Sequence, residues 1–429
     1  MRPVRVLLIA ARDPGGRRAG RKQVLATAVA SMRTLGHEVH VLAFAKELDE
    51  RRPDVFTGVP IVRHPPPGLA RVALSAATRF TTGRASLNEC LYDAPDTRAA
   101  ARSYVAEHGI DVVVADTVRT VAIATGTGAP VVADLDDLLS DRYAQLLRRG
   151  SGGANVLGYY AESLPGPLRP PAGAVARRVL GLEARVLRRR EALVARSVAA
   201  VSLVGAPEAA ELQRRAGVPV DCLPMSVPIP TEPADVAAQP CASALFVGGL
   251  DYHPNFEAVA WFADAVLPVA RAALPDFELH VVGHCPADVA AELGGHDRPG
   301  LVLRGYVDDL AAEQRAHRAF VAPIRSGTGV KTKVVEAMAA GLPVVSTRLG
   351  IDGTGAVDGE HCLLGDTPQA LVAGLVRLAQ DAAEAARIGA AARSLAIAGF
   401  APDVLAARWE RTLARATHGA GAPDATQPT

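Results

Sequence analysis

The residues best placed by type and spacing to do chemistry are Gly327, Gly329, Lys331, Lys333 and Glu336. Ala319 to Pro323 reads as a short apolar strand. It runs into Ser326-Gly327-Thr328-Gly329, a turn whose glycines reach backbone angles that other residues resist. Val330 to about Ala340 has a helical pattern, ended by Gly341 and Pro343. Pro343 to Ser346 reads as a second buried strand. A glycine turn opening a helix presents unpaired N–H groups and the positive end of a dipole, which suits a phosphate. Arg325, Lys331 and Lys333 add three cationic side chains. Glu336 follows Lys333 by three residues, on the same helix face and about 4.5 Å further along the axis. A diphosphate at the helix start would leave a ribose about that far along. An ionised carboxylate is acceptor-only and suits a pair of ribose hydroxyls. The plainer alternative is a solvated Lys–Glu pair; the glycine turn, the cations and the flanking strands weigh against it.

The stretch Gly327-Thr328-Gly329-Val330-Lys331-Thr332-Lys333, with Glu336-Ala337-Met338-Ala339-Ala340-Gly341-Leu342-Pro343-Val344-Val345, resembles the nucleotide-sugar site of retaining GT-B glycosyltransferases of the family-four type. The resemblance implies that Glu336 holds the donor ribose, and that Lys331, Lys333 and Arg325 hold its diphosphate. It implies two Rossmann-like α/β domains facing a cleft, with a C-terminal helix crossing back to the first domain. It implies a hexosyltransferase-type enzyme (EC 2.4), acting with retention. Many family members carry a second Glu eight residues before the ribose Glu; here that position is Thr328. Relatives also carry an Arg and a Lys after the first strand of the second domain, where this chain has Gly249 and Asn255. Gly248 and Gly249 let the backbone approach the donor there, and Tyr306 or Val307 would meet the nucleobase.

The chain has 429 residues, enough for two or three domains. Hydrophobic residues at 49% and charged residues at 21% are those of a globular protein that buries large cores. A net charge of +1 argues against nucleic acid as a partner. The five cysteines (Cys90, Cys222, Cys241, Cys285, Cys362) are scattered, never at Cys-x-x-Cys spacing, and point away from zinc or disulfide frameworks. The apolar run Val6 to Ala11 is too short for a secretory leader, and no run reaches 18 apolar residues, so no spanning helix is expected. The expected location is the cytoplasm, with peripheral contact at the inner membrane face allowed.

Val4 to Ala10, a loop through Arg12-Asp13-Pro14-Gly15-Gly16-Arg17-Arg18, a helix to about Leu35 and the strand Glu38 to Phe44 make a βαβ unit. The loop lacks Gly-x-Gly-x-x-Gly, so a dinucleotide reading is weak. By the resemblance Gly15, Gly16 and Arg17 border the donor phosphate or the acceptor; a surface turn is the alternative. The strands Asp111 to Ala115 and Pro130 to Ala133 end in Asp116-Thr117 and Asp134-Leu135-Asp136-Asp137, where open α/β sheets place ligands. Asp116, Asp134 and Asp136 are therefore candidates by position for a catalytic base, and the resemblance of Asp-Leu-Asp-Asp-x-x-Ser-x-x-Tyr to the cleft-facing loop of these sugar transferases makes Asp134 and Asp136 acceptor-site candidates. Metal binding by this cluster competes with helix capping by Asp136 or Asp137, and no metal is assigned. The segment 150–173, rich in Gly and Pro, reads as a loop or lid. The basic face of Ala174 to Arg196 would touch anionic lipid or, more simply, water.

Pro224 to Pro240 holds five prolines and reads as a linker. The division follows as 1–224 (acceptor domain), 225–242 (linker), 243–399 (nucleotide-sugar domain), 400–416 (crossing helix) and 417–429 (disordered tail). The expected function is transfer of a sugar from a nucleoside-diphosphate sugar to an acceptor hydroxyl without a metal or other cofactor. The acceptor would be a carbohydrate, a lipid-linked molecule or a small molecule, in polysaccharide, glycoconjugate or natural-product biosynthesis. The alternatives are a GT-B-fold nucleotide-sugar epimerase and a non-catalytic nucleotide-sugar binder.

Overall fold

The continuous apolar runs become the central strands of two all-parallel sheets. The computed structural model describes residues 2–15, 20–45, 47, 53–148, 174–240, 242–294, 298–327 and 329–418. The chain divides into two compact units, Met1–Met225 with Leu405–Thr429, and Ser226–Val404.

The first unit holds seven strands: β1 (Arg5–Ala10), β2 (Glu38–Phe44), β3 (Ile61–His64), β4 (Val112–Asp116), β5 (Val131–Asp134), β6 (Ala200–Leu203) and β7 (Asp221–Cys222). Their order is β3-β2-β1-β4-β5-β6-β7, all parallel. Alternate residues of one strand enter different cores: Leu7, Ile9, Val113 and Ala115 pack on one face, Val6, Leu8, Val112 and Val114 on the other. Burial on both faces is why these strands are unbroken apolar runs.

The second unit holds β8 (Ser243–Val247), β9 (Glu278–Val282), β10 (Leu301–Gly305), β11 (Ala319–Ala322), β12 (Val344–Ser346) and β13 (Cys362–Leu364), in the order β10-β9-β8-β11-β12-β13. The proline-rich stretch read as a linker packs on this unit from Ser226 onward. Val227 N donates to Phe400 O at 3.0 Å, Ala234 N to Ala340 O at 2.8 Å, and Arg393 Nη2 to Pro230 O at 2.5 Å. Carbonyls left bare by helix ends give the segment partners despite its prolines.

The helix Ala382–Phe400 stops before Pro402, as proline disfavours helix at the residue preceding it. The next helix, Pro402–His418, sends Leu405, Trp409, Leu413 and Ala416 into the core of the first unit. Together Ala382–His418 is long and apolar enough to cross a membrane by length and composition, with a window hydropathy of 1.3. The stretch is not an unbroken apolar run: it carries Arg387, Arg393 and Asp403 and breaks before Pro402, and Ala385, Ile388, Ala392, Ala396, Leu413 and Ala416 are fully buried. The expected disordered tail begins inside this helix, and residues 419–429 and the expected lid 150–173 lie outside the described residues.

Part of the basic set on the helix Ala174–Ser197 is engaged within the protein. Arg190 pairs with buried Glu89, Arg188 reaches Asp141 and Glu211, and Arg196 donates to Ala216 O and Arg215 O. Glu183 and Glu191, on the same helix, are buried at 0% and 1% exposure.

Candidate functional site

In the second sheet the chain winds one way from β8 and the other way from β11. Loops leaving the carboxyl ends of two such strands diverge and open a crevice where ligands bind. The loops here are Gly248–Tyr252 after β8 and Pro323–Val330 after β11. The ladder continues past β8: Gly248 N donates to Val282 O at 2.8 Å, Leu250 N to His284 O at 2.7 Å, and Gly283 N to Gly305 O at 2.8 Å. The crossing leaves no room for side chains. A Cβ on Gly283 would lie 2.5 Å from Gly248 O, and one on Gly248 would lie 2.6 Å from Asn255 Nδ2 and 2.7 Å from Lys333 Nζ.

Lys333 therefore points at the Gly248 turn. Its Nζ donates to Asn255 Oδ1 at 2.5 Å and sits 4.4 Å from the centre of the Phe246 ring. Burial holds the Lys333 ammonium down to about pKa 7, against the pull of Glu336 and with a small push from Lys331. Burial raises the Glu336 carboxyl to about 7, with Lys333 opposing. Burial sets both groups near neutrality, and an incoming polyanion favours the protonated lysine.

The helix that carries them is Thr332–Ala339, two residues shorter at its start than the sequence pattern predicts. Gly329 takes φ 72° and Lys331 stays extended at φ −89°, ψ 102°, so the turn runs on past Val330 before the helix begins. The shift places Lys331 at the N-cap, beside the glycine turn. It lies outside the helix, and its Nζ donates to Gly329 O at 2.7 Å. Arg325 is exposed, with its guanidinium 4.9 Å from the centre of the Trp261 ring. Ser326 Oγ donates to Glu257 Oε2 at 2.5 Å, tying the turn to the helix His253–Trp261. Gly327, at φ 107°, completes the turn; Thr328 lies outside the described residues. Tyr306, just after β10, is 80% exposed. The structure thus brings Gly248, Gly249, Lys333 and Glu336 together. The reading from sequence missed Asn255 as a member; its signal was only that it stood where a lysine is common.

The first unit has its own switch point, between β1 and β4. Asp116, at the end of β4, pairs in register with Asp134 of β5, and Arg21, unsuspected from sequence, joins them. Arg21 Nε donates to Asp116 Oδ1 at 2.8 Å, Nη2 to Asp134 Oδ2 at 2.7 Å, and Nη1 to Asp136 Oδ1 at 3.3 Å. Asp116 also accepts from Ala11 N at 3.0 Å, and Asp134 from Ser202 Oγ at 3.1 Å. These two carboxylates are 0% and 2% exposed. This corrects their assignment as catalytic or acceptor-side groups: buried and already bonded, they present no oxygen to a substrate. Asp136, with a side chain 23% exposed and φ 69°, keeps one. Asp137 pairs with Arg142 rather than a metal. Among the described residues no three His, Cys, Asp or Glu converge as a metal site would need. Gly15 N donates to Asp13 Oδ1 and Gly15 O accepts from Lys22 Nζ; Gly16 and Arg17 lie outside the described residues.

Comparison with known proteins agrees with this architecture. Residues 242–381 match the family described as glycosyl transferases group 1. The phosphatidyl-myo-inositol mannosyltransferase of Mycobacterium tuberculosis is 33% identical over 147 residues, 32% of this chain and 38% of that protein. The chain spans little more than a third of the length of the curated relatives it matches, 33% and 38%. Among solved structures, sucrose-phosphate synthase from Thermosynechococcus elongatus superposes with a TM-score of 0.63 at 18% identity, covering 97% of this chain and 100% of that one. Anabaena HepE in complex with UDP-glucose superposes with a TM-score of 0.59 at 14% identity, covering 96% and 99%. Residues 242–381 are thus similar to glycosyl transferases group 1, and the two parallel-sheet, Rossmann-like units of the chain have the fold of GT-B glycosyltransferases.

Proposed function

We propose that this protein transfers a sugar, with retention and without a metal, from a nucleoside-diphosphate sugar to an acceptor hydroxyl. The acceptor is a carbohydrate, a lipid-linked molecule or a small molecule in polysaccharide, glycoconjugate or natural-product biosynthesis. The observation that carries the reading is the meeting of Lys333 with the Gly248–Gly249 turn at the switch point of the second sheet, with Glu336 on the same helix face. HepE, a structural neighbour solved with UDP-glucose, supports the donor class.

In this reading the backbone at Gly248 and Gly249 admits the diphosphate, and the Lys333 ammonium neutralises it. Arg325 supplies a second, exposed cation. As the bond from the anomeric carbon to the diphosphate oxygen breaks, negative charge grows on that oxygen. Fixed positive groups are worth most at that moment. Glu336 accepts from the ribose hydroxyls and so sets how far the reacting carbon lies from Lys333. The acceptor-side candidate is Asp136, whose partly buried carboxylate is held by Arg21.

A panel of nucleoside-diphosphate sugars, read by thermal shift, tests the assignment. A donor present at a hundred times its dissociation constant stabilises the fold by about 2.7 kcal/mol, a shift of several degrees. Glu336→Ala should lose most of that shift while keeping its unliganded melting temperature. A parent protein that no donor stabilises, or a Glu336→Ala protein stabilised as fully as the parent, contradicts the reading. Activity should persist in EDTA; loss of activity there would remove the metal-free part of the reading.

A further inference from the structure

We propose that Asn255 is a positioning residue for the diphosphate: its side-chain amide fixes the Lys333 ammonium to the Gly248–Gly249 turn, so that a single lysine is held where the anion arrives. The inference rests on the glycosyltransferase reading and adds to it how the charge is placed.

Asn255 is 8% exposed and sits in the first turn of the helix His253–Trp261. Its amide bridges the Gly248–Gly249 turn and the helix Thr332–Ala339. Nδ2 donates to Gly249 O at 2.8 Å, and Oδ1 accepts from Lys333 Nζ at 2.5 Å. The orientation follows from the partners: turned over, the amide would set its NH2 against an ammonium and its oxygen against a carbonyl. The ring of Phe246 lies beneath the ammonium, 4.4 Å from Nζ to its centre, and adds a weak attraction that keeps it in place. A lysine ammonium on a four-carbon stem otherwise samples many rotamers, and fixing it beforehand removes that cost from binding.

The residue type matters as much as the position. A carboxylate at 255 would hold Lys333 equally well but would pair with its charge and compete with the diphosphate. A lysine at 255 would repel it. A neutral amide holds the cation and leaves its charge for the ligand. It also restrains the Gly248–Gly249 turn, against which the Asp251 carboxylate lies beside Gly249 and the Asn255 and Lys333 side chains beside Gly248.

Titration calorimetry with UDP, GDP and ADP, and with the nucleoside of whichever binds, separates positioning from mere structure. Asn255→Leu should weaken the nucleoside diphosphate about 10- to 100-fold, the range for losing a hydrogen bond to a charged group, with nucleoside affinity unchanged within about twofold. Asn255→Asp, nearly isosteric, should also weaken the diphosphate and shift the loss of affinity with rising pH upward by about one unit, because the carboxylate keeps Lys333 protonated. Equal weakening of nucleoside and diphosphate, or an Asn255→Leu protein that binds the diphosphate as the parent does, overturns the inference. If the parent binds none of the three diphosphates, the glycosyltransferase reading falls and this inference with it; failure in the Asn255 variants alone leaves that reading standing.

Discussion

Arg21 is the residue the sequence concealed most completely. It stands 95 positions from Asp116 and 113 from Asp134, and nothing local marks it. The three aspartates were visible as a group because they end predicted strands. Their common partner required the sheet order that sets β1 beside β4. Lys333 and Glu336, three apart on one helix, were legible because helical spacing alone puts them on one face. Replacing Arg21 by Met leaves two buried carboxylates without their counter-charge, which costs about 3–5 kcal/mol. Asp134 already has its pKa pushed up by burial, with Arg21 opposing. In Arg21→Met that opposition is gone and the raised pKa climbs further. A carboxyl whose folded pKa exceeds its unfolded one stabilises the fold below the unfolded pKa and loses that contribution as pH rises through the folded one. Urea unfolding should therefore show a larger deficit for Arg21→Met at pH 8 than at pH 5. A deficit under 1 kcal/mol, or one that does not depend on pH, would contradict this account of the triad.

At the scale of elements, the long apolar strands were plain from composition, and several helices were not. Thr117–Thr125, with the sequence TVRTVAIAT, is crowded with β-branched residues of modest helix propensity and is helical because its buried side packs on the sheet. The short helix Leu87–Cys90 is too brief to show a period. It depends on an acidic residue far along the chain: Glu183 accepts from Leu87 N at 2.8 Å, Asn88 N at 3.1 Å and Asn88 Nδ2 at 2.8 Å. A glutamate on a basic helix looks solvated in sequence, yet here it caps another helix from within the core. Glu183→Ala should cost about 2–4 kcal/mol through three orphaned donors, seen as a lower urea midpoint. Glu183→Gln, which keeps one acceptor oxygen, should recover part of it. Equal stability of Glu183→Ala and parent would contradict the capping role.

Across the whole molecule, both sheets share the order that creates a switch point, and they use it differently. The first unit fills its strand ends with a charged triad built on Arg21, whereas the second keeps bare glycine turns and a lysine. The bareness explains which half of the chain was readable for function. Lys333 and Glu336 lie on one helix just after a glycine turn and leave a compact signature in sequence, while Arg21 and its aspartates come from separate segments and do not. The account stands on Lys333 neutralising a nucleoside diphosphate beside those turns. Calorimetric titration of UDP, GDP and ADP into the parent and into Lys333→Gln, at pH 8 in two buffers of different ionisation enthalpy, tests it most directly. The account predicts that one diphosphate binds the parent with net uptake of protons, because the buried lysine gains its charge as the anion arrives, and that Lys333→Gln binds at least tenfold more weakly without that uptake. Equal affinity in the two proteins, or binding to the parent with no proton uptake, would contradict it.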